Sequence, residues 1–149
     1  MRKIFFLPIL IVLNLLSCSV NTKQQNFQQK EIQYELILML KENSLQTDQE
    51  IEIITDIQDF TKIYKQLNLT RFPGIPIPKI DFEENSILVI NKKLSEDIEF
   101  TDIALDKIIQ NKECIKVSTK LHNTTMNISN KNRVLKLYKI PKIETSICN

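Results

Sequence analysis

"TDIQDFTKIYKQLNLTRFPGIPIPKIDFEENSILVI", residues 55–90, carries a helix pattern, a break and a strand pattern in direct succession. Ile57, Phe60, Ile63, Tyr64 and Leu67 recur at the three- and four-residue spacing of one helix face. Thr55, with Gln58 three residues later, matches a capping box. The pattern predicts one amphipathic helix from Asp56 to about Asn68. Pro73, Pro76 and Pro78 then forbid helix, because each fixes its own φ and disfavours helix in the residue before it. The extended segment they impose leads Ile80 and Phe82 to "SILVI" (86–90), a continuous apolar run of the kind expected of a central strand. Phe82 is expected to be buried beside Ile80, against Phe60 and Tyr64 of the helix.

On either side of this stretch the periodicity is that of strands. "YELILML" (34–40) and "EIEII" (50–54) flank a turn-like "ENSLQTDQ" and read as a hairpin. "IEFTDIAL" (98–105), "CIKVSTKL" (114–121) and "RVLKLYKI" (133–140) are rich in β-branched and aromatic residues. "HNTTMNISNKN" (122–132) is polar and reads as a loop. The expectation is an α+β domain, a mainly antiparallel sheet of about six strands with the helix packed on it. With one glycine in the chain, Asn and Asp are expected to supply most positive-φ positions.

The N-terminal end reads as an address. Arg2 and Lys3 precede a run from Ile4 to Leu16 that is apolar apart from Asn14. That run is too short to cross a bilayer core, which needs about 20 helical residues. A charged start, a short apolar core and a small residue before the cut describe a secretory signal peptide. Leu15-Leu16-Ser17-Cys18 resembles the bacterial lipobox. The motif implies a diacylglycerol on the Cys18 thiol, removal of residues 1–17 and acylation of the new amine. Two or more acyl chains anchor a protein stably. Ser19 after the cysteine favours the outer membrane of the bacterial envelope. Residues 18–30 then form the lipidated cysteine and a polar tether. Residues 31–149 form a single domain, within a mature chain long enough for a real core.

Charge argues against nucleic acid as a partner. The chain has 20 Lys and Arg against 18 Asp and Glu; residues 1–17 carry Arg2 and Lys3 and no acid, so 18 of each remain after the cut. No basic face with interleaved aromatics stands out. Enzyme motifs are missing as well. One histidine, His122, is too few for a two-histidine metal site, and it reads as a solvated loop residue. No nucleophile elbow, CxxC pair or phosphate-binding glycine loop is present. "SEDIEFTD" (95–102) lacks EF-hand spacing and reads as a solvated strand edge. The expectation is no enzyme, no metal and no cofactor. Cys114 and Cys148 are the remaining thiols; in an oxidising compartment they either bridge or stay free, Cys148 lying beside the chain end.

The helix "IQDFTKIYKQLN", a proline-rich approach ending in "PKIDF", an apolar strand and a last strand "LKLYKIPK" together resemble the C-terminal domain of the PrcB-like family. These are accessory lipoproteins of bacterial surface or periplasmic protease complexes. The match rests on Phe60, Ile63, Tyr64, Pro78, Ile80, Asp81, Phe82, Leu137, Ile140, Pro141 and Lys142, across residues 53–142. It departs where the family carries a Gly-Gly-Tyr run after the central strand; this chain has "NKKLSEDIEF" (91–100) there. The resemblance implies a non-catalytic subunit that binds and stabilises a protease, with Phe60, Tyr64, Pro78, Asp81, Phe82, Pro141 and Lys142 as structural or partner-contact residues. A lipid-anchored module for a small molecule or glycan, and a hydrolase pairing Asp81 with Glu83 or Asp102, are the other readings. For a protein partner, the strand from Arg133 to Ile140 is expected to offer a free sheet edge.

Overall fold

The computed structural model describes residues 29–40, 45–47, 49–93, 100–123 and 133–148. The signal-peptide and lipobox readings, including Cys18, lie outside these residues. So do most of the acidic stretch 95–102 and residues 124–132 of the expected loop.

The domain is α+β. Eight strands and one helix follow in the order β1 (Lys30–Glu31), β2 (Glu35–Leu40), β3 (Ile51–Ile54), α1 (Ile57–Asn68), β4 (Asn85–Lys93), β5 (Phe100–Gln110), β6 (Cys114–Asn123), β7 (Arg133–Pro141) and β8 (Ser146–Ile147). The six expected strands are all present; the two extra ones are two-residue pieces. They form two four-stranded sheets rather than one, ordered β2-β7-β4-β3 and β1-β5-β6-β8. All pairings are antiparallel except β6 with β8.

Three layers result, and β4 explains them. Ile87 and Val89 point to one face and join Phe60, Ile63, Tyr64 and Leu67 of α1, with Leu135 and Leu137 of β7. Leu88 and Ile90 point to the other face and join Ile103, Leu105, Ile108 and Ile115 of the second sheet. A strand covered on both faces cannot alternate with polar residues, which is why "SILVI" is apolar throughout. Tyr34 ties the layers at the corner before β2. Its hydroxyl donates to Leu105 O at 3.0 Å and its ring meets Tyr138 edge-on at 5.5 Å.

The helix begins one residue later than the capping box implies. Asp56, not Thr55, is the N-cap: its carboxylate accepts from the N–H groups of Gln58 and Asp59 at 2.8 and 2.9 Å. These bonds, that from Asp59 first, hold the Asp56 carboxyl below its ordinary range. The expected hairpin does not form either. β2 and β3 sit at opposite edges of their sheet, because β7 and β4 both insert between them. No non-glycine residue with positive φ occurs among the described residues, so Asn and Asp do not play that part there.

Tyr64 is nearly completely buried, and burial pushes its phenol up to about 12. The neutral form is favoured in the fold, so this contribution is intact below pH 10 and fades as pH rises from 10 towards 12. The expected loss is about 1.4 kcal/mol per pH unit in that window. Phenolate absorbance should show Tyr64 ionising only as the protein unfolds. Titration of all three tyrosines before unfolding would contradict it.

Candidate functional site

The residues singled out by the family resemblance divide into two structural groups. Phe60, Tyr64 and Phe82 stack. The Phe60 ring lies 5.0 Å from that of Tyr64 and 5.5 Å from that of Phe82, both edge-on. Phe60 and Tyr64 are buried, whereas Phe82 is only half-buried, contrary to the expectation of a full core position. Its edge is open because the connector runs over the surface of the helix layer and does not enter it.

The second group is a junction. Asp81 accepts the N–H of Glu83 on Oδ1, and its carbonyl accepts from Asn85 N, a turn that aims the chain into β4. That bond engages the Asp81 carboxylate in local structure. Asp102 lies on the other sheet, in register with His122 in β6, so His122 belongs to a strand and not to a loop. Pro141 closes β7 opposite Asn85. Lys142 then ties three segments: its N–H reaches Glu84 O at 2.8 Å, and Nζ donates to Thr55 O at 3.1 Å and Phe82 O at 2.7 Å. Pro78 lies half-buried along the connector. Among the described residues, no three or more His, Cys, Asp or Glu side chains are grouped to hold a metal.

Lys142 stands at one end of a groove of about 780 Å³, which the sequence reading missed. One wall is β3 with its flanks, through Gln49, Glu52, Ile53 and Thr55; the other is the C-terminal segment from Ile143 to Ile147. Cys114 and Cys148 are joined by a disulfide, so the C-terminal segment is fastened to β6 and not frayed. Cys148 N donates to Ile115 O, and Ile143 N donates to Ser86 Oγ. The opposite wall is fixed by buried Asn91, whose Nδ2 donates to Leu45 O and Thr47 Oγ1.

The chemistry of the groove is that of a sheet edge. Among the described residues, β3 pairs with β4 on one side and with no strand on the other. Asn91 N donates to Glu50 O, and the register sets Ile51 opposite Ile90. In an antiparallel ladder the hydrogen-bonded and open pairs alternate. Glu50, Glu52 and Ile54 therefore turn their peptide groups to β4, and Ile51 and Ile53 turn theirs outward. Thr55, next in the alternation, offers its carbonyl to Lys142 in agreement with this. Thr145 Oγ1, in the opposite wall, is buried without a hydrogen-bond partner, a costly state for a hydroxyl.

The strand expected to offer a free edge, Arg133 to Ile140, is instead central, paired with β4 along its length and with β2 from Leu135 to Lys139. β3 has that property in its place. The only signal for it was its shortness beside the longer apolar strands. Most of β5 and β6 also lacks a partner on its outer side among the described pairings, but β3 is the edge that lines the groove. β2 carries a bulge between Leu36 and Leu38, a device that blunts edges, and β1 and β8 are two residues each. No protein-family model, curated protein or solved structure matches the chain.

Proposed function

We propose that this protein is a lipoprotein, anchored through acylated Cys18, whose domain binds an extended segment of a partner protein at the β3 edge. In this reading it is a non-catalytic subunit that stabilises or assembles a secreted or surface protease complex. The observation that carries the binding role is the open β3 edge facing a groove with a disulfide-fastened opposite wall. Main-chain hydrogen bonds to Ile51 and Ile53 would give affinity, and the groove wall would give selectivity. The lipobox-like Leu15-Leu16-Ser17-Cys18 supports the anchor, and the PrcB-like residues support a protease as the partner. A binder of the folded partner raises its abundance by mass action.

A small-molecule or glycan site is the weaker reading. Ligand pockets are mostly apolar and enclose most of the ligand, whereas this groove is open and lined by Gln49, Glu52, Thr55 and Glu144.

The test is capture of the lipidated protein from its own membranes. A protease should co-purify with wild type. Ile53→Pro removes an outward N–H without touching the bonds to β4, a substitution that edge strands tolerate, but it also takes away a side chain packed on the core. It should abolish capture, whereas Ile53→Ala, which loses the side chain and keeps the N–H, should lower the melting temperature comparably and retain capture. Retained capture by Ile53→Pro would exclude strand addition. Labelled palmitate should enter wild type and not Cys18→Ser, and equal incorporation would remove the anchor. The purified domain should show no protease, esterase or glycosidase activity. Deleting the gene should lower the partner's abundance without changing its transcript.

A further inference from the structure

A surface on the far side of the helix layer is unrelated to the groove. After Asn68 the chain loops out and back, leaving Leu69 81% exposed and Phe72 fully exposed. The neck of this loop is clamped. Asn68 Nδ2 donates to Ile75 O at 2.9 Å, and its Oδ1 accepts from Ile75 N at 2.7 Å. A Cβ on Gly74 would come within 3.2 Å of the Asn68 side chain, so the only glycine of the chain stands where the clamp leaves least room. Pro73 and Pro76 stiffen the same turn, and Ile75 packs onto the helix-side core. The exposure of Phe72 is thus built into the fold.

Charge is one-sided along this stretch, which Asp59 and Asp81 bound. Between Phe60 and Ile80 the formally charged residues are Lys62, Lys65, Arg71 and Lys79, with no Asp or Glu. Lys62 is paired with Asp59 at 2.6 Å, while Lys65 and Lys79 are exposed. The stretch from Cys114 to Ile143 also carries Lys and Arg without Asp or Glu, but there Lys120 and Lys139 are paired with Asp106 and Glu35, and Lys142 is bonded to Thr55 O and Phe82 O.

We propose that this loop is a membrane contact, with Leu69 and Phe72 entering the interface of an anionic bilayer and Lys65 and Lys79 meeting its headgroups. The composition favours lipid over a protein surface. Protein hot spots draw on Tyr, Trp and Arg, and protein interfaces are depleted in Lys. Interfacial membrane segments combine Phe and Leu with Lys, and gain from both apolar burial and the anionic surface potential. The contact does not require a lipid on Cys18, but it is compatible with one. Residues 18–30 reach at most about 45 Å when extended, against about 20 Å for the two layer spacings between the sheet that holds β1 and the helix, so anchor and loop can meet one surface.

The experiment uses residues 18–149 with Cys18→Ser. The described core and disulfide lie between Ile32 and Cys148, so this chain keeps every described contact that holds the fold. The protein has no tryptophan, so Phe72→Trp places a single fluorophore at the tip. Its emission should shift to the blue, and brominated acyl chains should quench it, on vesicles of phosphatidylglycerol and phosphatidylcholine. Phosphatidylcholine alone should give a much smaller response. Phe72→Ser in the Trp-free background should lower sedimentation with the anionic vesicles about tenfold or more. Its melting temperature should be unchanged, since the side chain is fully exposed. Equal sedimentation of Phe72→Ser and wild type would reduce the contact to charge alone and overturn insertion. No blue shift on either vesicle would overturn it too, and would leave the tip to a protein partner.

Discussion

Phe60→Ala is expected to destabilise the domain by about 3–5 kcal/mol, the range for a fully buried aromatic side chain. Phe60 is wholly inaccessible to solvent and touches both ring neighbours, Tyr64 and Phe82. Removing it opens a cavity beneath the helix and takes away two edge-on ring contacts. Because α1 meets the central sheet through one stripe of four buried residues, few others can share the loss. Against a typical stability of about 5–15 kcal/mol, the change is large. Denaturant unfolding of Phe60→Ala and Phe82→Ala in parallel makes the comparison. Half-buried Phe82 should cost about half as much, and equal costs would mean that the connector is part of the core after all.

Cys148→Ser is expected to cost about 3–4 kcal/mol. The bridge to Cys114 closes a loop across a sequence separation of 34 residues, and the unfolded chain loses that much closure entropy in the chain-entropy account. The effect should be local as well as global. Among the described residues β8 has two residues and pairs only with β6, so beyond that pairing, the Cys148 N–H bond to Ile115 O and the packing of Ile147, little else holds the groove's second wall at that end. Hydrogen exchange should therefore speed up at Ser146–Cys148 in the serine variant under conditions where β4 and β7 stay protected. A thiol count on denatured, unreduced protein should find neither Cys114 nor Cys148 free. Two free thiols would refute the bridge and its stabilisation together.

Partner capture and stability test different things. Ile53→Pro probes the outward face of an edge strand, and Phe60→Ala probes the core on the other side of the sheet. A loss of capture in Phe60→Ala with a large drop in melting temperature would report unfolding. The same loss in Ile53→Pro, with capture kept by Ile53→Ala at a comparable melting temperature, would report the edge itself.

The sequence by itself determined the elements. The spacing of Phe60, Ile63, Tyr64 and Leu67 is a property of one helix, and the prolines after it act on their own backbone. Both are local, so both are legible without a fold, and the helix and six strands lie where these patterns put them. What joins what was not legible. A strand's period of two records which faces are covered, but not which neighbour lies on either side. "RVLKLYKI" and "EIEII" are both apolar-rich, yet the first became the middle of a sheet and the second its edge. The turn-like residues 42–49 suggested a hairpin, and only the insertion of β4 and β7 between β2 and β3 overrode it. The Thr55 box yielded to Asp56 because its carboxylate, one residue on, accepts two N–H groups at once. The groove exists only where the edges of two sheets approach, and residues from 49 to 55 meet residues from 142 to 147 there. No pattern within either segment records the other, since that approach is set by how the two layers pack on their shared core.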